Sequence, residues 1–243
     1  MNHARCRAWV AALALVATLA LPASASARAA PAGSERLSDG RTFAHWAHPE
    51  QRASVRRLPS RSSRRVARIH YLTEDGFPEV YPVMRSFTDR HRREWLRIRV
   101  PMRPNGRTGW VQASALGPLY RVRTRLVLDR GRMHATLYRS GRPIWRSPIG
   151  VGTPSTPTPA GRFWIREKFR VPDAGGTYGP WAFGTGGYSV LSEWPGGGVI
   201  GIHGTNEPHL IPGRPSHGCV RVPNAAITRL AGLMPIGTPV WIR

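Results

Sequence analysis

The sequence predicts a mainly β protein with one or two short helices, built as two units of unequal size. Three observations predict it. Apolar and polar residues alternate over short stretches, the period at which one face of a strand is buried. Turn residues (Gly, Pro, Asn, Asp) separate those stretches at short intervals. Only residues 224–233 carry helix signals along their length, with Asn224 placed to cap and Gly232 and Pro235 placed to stop.

The chain opens with a targeting signal rather than a folding element. Arg5 and Arg7 precede an apolar run from Ala8 to Leu21, and Ala23-Ser24-Ala25-Ser26-Ala27 offers small-residue cleavage sites. Residues 1–27 therefore read as a secretory signal peptide cut after Ala25 or Ala27, with an uncleaved anchor as the other reading. The run falls short of the ~20 residues of a comfortable membrane span. The expected location is beyond the cytoplasmic membrane, in the periplasm or cell wall. Residues 28–65 are rich in Ala, Ser, Pro and Arg with no sustained period, and are expected to form a linker in which Phe43 and Trp46 pack locally.

Residues 66–71, 94–100 and 108–111 alternate as strands do, and Pro104-Asn105-Gly106 makes a turn because Asn and Gly tolerate positive φ. Residues 66–117 are therefore expected to form a small β-barrel. Residues 119–243 form the larger unit. Its segments 120–128 and 133–138 flank the hairpin signal Asp129-Arg130-Gly131-Arg132, and further strands are expected at 144–151, 162–169 and 239–242. The prolines of residues 152–161 reject helix and favour an extended loop.

Composition narrows the partners. The formal net charge is +23, from 36 Lys and Arg against 13 Asp and Glu, and Lys168 is the only lysine. Such a chain favours polyanions. The export signal argues against nucleic acid, leaving anionic wall polymers, phospholipid headgroups and the carboxylates of peptide stems. Of the two cysteines, Cys6 lies in the signal, so the mature chain keeps only Cys219. With no internal disulfide available, that thiol is either a small buried hydrophobe or a nucleophile.

Its neighbourhood favours the nucleophile. Ile202-His203-Gly204-Thr205 is followed, thirteen residues beyond the histidine, by Ser216-His217-Gly218-Cys219-Val220-Arg221. Thiol catalysis needs a thiolate, a base and donors for an oxyanion. His203 or His217 can take the proton, Arg221 and Arg214 favour the anion, and Gly218 lets backbone N–H groups approach closely. Each residue alone has an ordinary structural reading; their conjunction does not. Gly196-Gly197-Gly198 lacks the Lys-Ser/Thr and helix of a phosphate loop.

His203, the intervening loop and Ser216-His217-Gly218-Cys219 resemble the active-site signature of the L,D-transpeptidase (YkuD-type) catalytic domains. Ile149-Gly150-Val151-Gly152-Thr153-Pro154, Thr158 to Phe163, Tyr178-Gly179-Pro180-Trp181 and the stretch through Tyr188 to Gly201 extend the likeness, which covers residues 119–243. Residues 95–111 resemble the bacterial SH3-like modules that often precede wall-modifying domains, either as wall-binding or substrate-framing units or as spacers. The resemblance implies an L,D-transpeptidase-type β-sandwich preceded by an SH3-like β-barrel, with no cofactor. It implies that Cys219 attacks the carbonyl between the third stem residue and D-Ala. His203 is then the proton carrier, with Gly204 O orienting its ring, and His217 tunes the site. Gly218 and Cys219 N–H hold the oxyanion, with Ser216, Arg221 and Tyr188 on the substrate side. D-Ala leaves, and an amine of a neighbouring peptidoglycan stem resolves the thioester into a 3→3 cross-link. Carbapenems are the implied inhibitors. Some members carry Asn where Arg221 stands, which bears on substrate preference. Three other readings stand beside this one. Water as acceptor gives an L,D-carboxypeptidase; His203, His217 and Cys219, with His209, suggest a zinc peptidase that lacks a His-Glu-x-x-His pattern; and the fold without catalysis gives a wall-binding protein.

Overall fold

A computed structural model describes residues 33–193 and 195–243, so the expected signal peptide lies outside the described residues. Strands β1 (Gly33–Arg36), β2 (Ala44–Ala47), β3 (Ser54–Arg56), β4 (Arg65–Arg68), β5 (Tyr81–Thr88), β6 (Glu94–Arg99), β7 (Thr108–Gln112) and β8 (Tyr120–Val122) make one sheet. Its order is β4-β3-β7-β6-β5-β2-β8, with β1 added on β5. Ala47, Val55, Tyr81, Val83, Ile98 and Val111 form its core.

The expected linker is corrected here, because β1, β2 and β3 lie within residues 28–65 and β4 begins at Arg65. The reason is physical. All four β1 side chains are exposed, and β1 is held by its ladder to β5, Gly33 opposite Thr88. A strand stabilised by backbone hydrogen bonds alone leaves no hydrophobic period to read. The boundary near residue 119 also moves. Tyr120, expected to open the larger unit, pairs instead with Trp46, the two rings stacked at 4.6 Å and 26°.

The second sheet holds β9 (Thr124–Asp129), β10 (His134–Arg139), β11 (Arg142–Pro148), β12 (Gly150–Gly152), β13 (Gly161–Arg170), β14 (Trp181–Tyr188), β15 (Val199–His203), β16 (Gly213–Ser216), β17 (Val220–Arg221) and β18 (Pro239–Ile242). Its order is β11-β10-β9-β18-β13-β14-β15-β17-β12-β16. The hairpin at residues 129–132 joins β9 to β10 antiparallel, and residues 153–160 are the extended loop that their prolines demand. Helix α1 (Asn224–Leu233) lays Ile227, Leu230 and Ala231 into a core shared with Leu126, Phe183 and Ile202. Its cap differs from expectation. Pro223 occupies the N-cap position, and Asn224 turns its Oδ1 outward to accept from the Thr205 N–H at 2.8 Å. Gly232 sits inside the helix, which Met234 caps.

The two sheets are joined by buried polar contacts as well as packing. Arg166 of β13 donates from Nε to Glu79 Oε1 at 2.9 Å, pairs with Glu79 Oε2, and pairs with Glu74 at 2.8 Å. Trp164 Nε1 donates to Val80 O at 2.8 Å, and Phe77 stacks on Phe169 at 5.3 Å. The loop preceding β5 is thereby pinned along β13, beside the centre described next.

Candidate active site

Sheet register builds this centre. β15 runs parallel to β17, with Ile202 opposite Val220 and His203 opposite Arg221. Cys219, one residue before Val220, is therefore set beside Gly201, whose N–H donates to Cys219 Sγ at 3.3 Å. A methyl on Gly201 would lie 3.5 Å from that sulfur and 3.7 Å from His203 Cδ2, so sulfur and imidazole flank the same glycine.

The imidazole has a defined tautomer. His203 Nδ1 lies 2.6 Å from Gly204 O, and a carbonyl only accepts, so Nδ1 carries the hydrogen and Nε2 is the basic nitrogen. The Tyr178 ring packs edge-on at 4.8 Å. Burial, with the Arg221 charge adding to it, pulls His203 down to about 4 against the Gly204 bond. Burial pushes the Cys219 thiol up from its ordinary value, while the Gly201 N–H and the Arg221 charge pull the other way. Both shifts favour a neutral thiol beside a neutral imidazole. The arrangement suits removal of the proton during attack, rather than the standing thiolate that the arginines of the sequence suggest.

Cys219 and His203 open on one cavity of about 410 Å³, whose other walls include Tyr178, Phe183, Asp75 and Glu167. Volume and apolar lining suit a peptide-sized organic ligand.

The remaining expected residues divide. Ser216 is buried, with its Oγ donating to Cys219 O at 2.6 Å and accepting from Gly218 N–H at 3.2 Å. The Gly218 N–H, expected on the oxyanion, is thus engaged by the hydroxyl that shapes the cysteine loop. Glycine is still required there, at φ 123°. Thr158, from the proline loop, clamps the same turn by donating to Gly218 O at 2.8 Å. Arg221 pairs with Glu207 at 2.6 Å and acts on the centre through its charge. His217 is exposed, whereas His203 is buried and lines the cavity together with Cys219. Tyr188, expected on the substrate side, is engaged between the sheets. It is 7% exposed, its hydroxyl donates to Glu74 at 2.5 Å, and its backbone N–H and O both bond the Asn105 side chain. It ties the sheets together. Among the described residues no three His, Cys, Asp or Glu side chains group to hold a metal ion.

Sequence reasoning missed Asp75, Phe77, Glu167 and Phe169 as cavity residues. The first two come from the other sheet, and no local pattern announces a contact across some ninety residues.

Comparison with known proteins places these features in context. The model of the L,D-transpeptidase (YkuD) catalytic domain matches residues 123–242. The chain is 34% identical over 123 residues to YkuD of Bacillus subtilis, covering 51% of this chain and 68% of that protein. It is 38% identical over 106 residues to YkuD of Bacillus licheniformis, covering 44% of this chain and 57% of that one. Among solved structures, an Enterococcus faecium L,D-transpeptidase crystallised as a cysteine-to-serine mutant is 26% identical, with a TM-score of 0.39, over 49% of each chain. The E. faecium catalytic domain acylated by ertapenem is 26% identical, with a TM-score of 0.38, over 49% of this chain and 96% of that one. The match thus spans about two thirds of the first Bacillus protein and about half of the longer E. faecium chain. On the 34% identity across that share of the first relative, the chain belongs to the YkuD-type L,D-transpeptidase catalytic domain family.

Proposed function

We propose that the protein is a secreted peptidoglycan L,D-transpeptidase that forms 3→3 cross-links through a Cys219 thioester. The observation that carries this reading is Cys219 and His203 lining one cavity, with the His203 tautomer held by Gly204 O. In the forward half-reaction Sγ bonds to the carbonyl carbon that joins the third stem residue to D-Ala. His203 takes the thiol proton and returns it to the departing D-Ala nitrogen. With Gly218 N–H engaged by Ser216, the Cys219 N–H is the oxyanion donor of the pair. A side-chain amine of a second stem then attacks the thioester carbonyl, and Cys219 leaves as the thiol. The scissile peptide bond supplies the driving force, which suits the expected location outside the cytoplasmic membrane. The N-terminal sheet, expected to bind wall, frame substrate or act as a spacer, serves on this reading as the substrate-framing unit. The arginine excess favours residence among anionic wall polymers.

The same nucleophile opens a strained β-lactam carbonyl, so intact-protein mass after incubation with a carbapenem is the direct test. Wild type is expected to gain the mass of one drug molecule and Cys219→Ala none. An adduct that persists in Cys219→Ala, or a folded wild type that stays unmodified, would remove Cys219 from the mechanism. Products from disaccharide-tetrapeptide then choose the acceptor: dimers indicate transpeptidation, and tripeptides indicate the L,D-carboxypeptidase reading.

A further inference from the structure

We propose that Asp75 and Glu167 form a specificity-determining subsite of the reaction cavity that holds a side-chain ammonium group of the peptide substrate; this rests on the reading of the cavity as a stem-peptide site. The two carboxyls come from distant segments of the chain. Glu167 belongs to β13 and is 3% exposed, while Asp75 lies on the loop before β5 and is exposed. Both line the cavity that holds Cys219 and His203.

The mechanism has no use for either residue, yet the fold goes out of its way to keep them there. Thr73 Oγ1 donates to Glu167 Oε2 at 2.7 Å and anchors the carboxyl. On the facing strand β14 a methyl at Gly184 would stand 2.0 Å from Glu167 Oε1, so glycine reserves the carboxyl's space. The loop that delivers Asp75 is fastened at Glu79 by Arg166 and at Phe77 by the Phe169 ring.

Charge points to the ligand. In a chain with 36 cationic side chains against 13 acidic ones, an adjacent carboxyl pair would ordinarily attract an arginine. Among the described residues neither Asp75 nor Glu167 takes part in an ion pair; Arg166, the neighbouring cation, is occupied by Glu79 and Glu74. Burial raises Glu167 to about 7, with the Asp75 charge adding to it, so the pair retains a proton that an arriving cation would displace. The rest of the wall is apolar or aromatic, including Phe77, Phe169, Phe183 and Val199. An alkyl chain ending in a primary amine matches a hydrophobic cleft closed by two carboxylates. A diamino acid in the stem has that chemistry.

The test measures binding without turnover, in the full chain carrying Cys219→Ala. Calorimetry compares a stem tetrapeptide bearing a free side-chain amine at its third residue with the same peptide acetylated at that amine. Acetylation is expected to weaken binding by about tenfold or more, the scale of a lost charge-assisted hydrogen bond. Adding Asp75→Asn, on an exposed loop, or Glu167→Gln, which preserves volume and the Thr73 bond, is expected to shrink that ratio to within about twofold. A ratio unchanged in both double variants, no effect of acetylation at the outset, or no binding of the amine peptide would each overturn the subsite. Turnover of the same tetrapeptide by wild type reports separately. Intact amine discrimination with no product would refute the transpeptidase reading and leave the subsite standing.

Discussion

His203 Nε2 owes its basicity to a backbone oxygen, and its low affinity for protons to burial. With His203 titrating at about 4, the acid limb of carbapenem acylation should fall near pH 4 rather than near the ordinary histidine value of about 6.5. Stopped-flow acylation rates across pH check this, and an acid limb at pH 6–7 would contradict it. The raised thiol predicts that simple alkylation of Cys219 by iodoacetamide keeps accelerating above pH ~8.5, where an exposed cysteine levels off. Glu167 gives a stability signature of opposite sign to that of His203. Its folded value of about 7 lies above the unfolded 4.5, so its contribution is full below pH 4.5 and is lost as pH rises through 7. His203 is lowered, so protonation favours the unfolded chain and stability falls as pH drops from 6.5 towards 4. The urea midpoint of Glu167→Gln relative to wild type should therefore rise between pH 4.5 and pH 7. A pH-independent difference would show that the carboxyl is not perturbed.

Strands β14, β15 and β17 and the loops at their ends place the imidazole through close backbone contacts. Gly179, at φ 61°, approaches Gly204 so tightly that a methyl on it would stand 2.6 Å from Gly204 Cα and 2.3 Å from Asn224 Oδ1. Gly204 O is the group that orients His203. Gly179→Ala should therefore cost about 1–3 kcal/mol and slow acylation as well, because overpacking there displaces the histidine's anchor. Gly232→Ala is the matched control. That glycine lies within α1, a methyl there meets nothing within 4 Å, and the change should stabilise by up to about 1 kcal/mol with acylation unaltered. Thermal melts and acylation rates of the two variants, measured together, decide the point. Equal melting of both would mean that the loop yields where the contacts say it cannot.

Across the molecule as a whole, the two sheets act as one unit because their junction is buried and charged. Arg166 and Glu79 are 2% and 1% exposed. Removing one member of such a pair strands the other without water, at a typical cost of about 3–5 kcal/mol, whereas replacing both by apolar residues is often neutral. Arg166→Met should therefore lower the denaturation midpoint sharply, and Arg166→Met with Glu79→Met should recover most of the loss. Chemical denaturation followed by tryptophan fluorescence checks both, since Trp164 donates to Val80 O across the same junction. A wild-type midpoint for the single variant would show that the sheets are independent.

Strand content, the Gly131 hairpin, the proline loop and the Cys219–His203 constellation were legible because each is written in neighbouring residues: a period, a turn pair, a motif. The same locality explains the failures. Edge strand β1 buries no side chain, so residues 33–36 show no period, and Asn224 has capping chemistry but spends its oxygen on Thr205. The register of β15 against β17 puts His203 opposite Arg221, two residues beyond Cys219, and the Ser216 hydroxyl accepts from Gly218 N–H two residues away. Tyr188 reaches Glu74, and Asp75 and Phe77 join the cavity, through packing of one sheet on the other. Chemistry resides in residue types and short spacings, which a chain displays openly. Solvent exclusion, proton affinity and the company a carboxylate keeps depend on contacts between distant segments, and those exist only once the chain has folded.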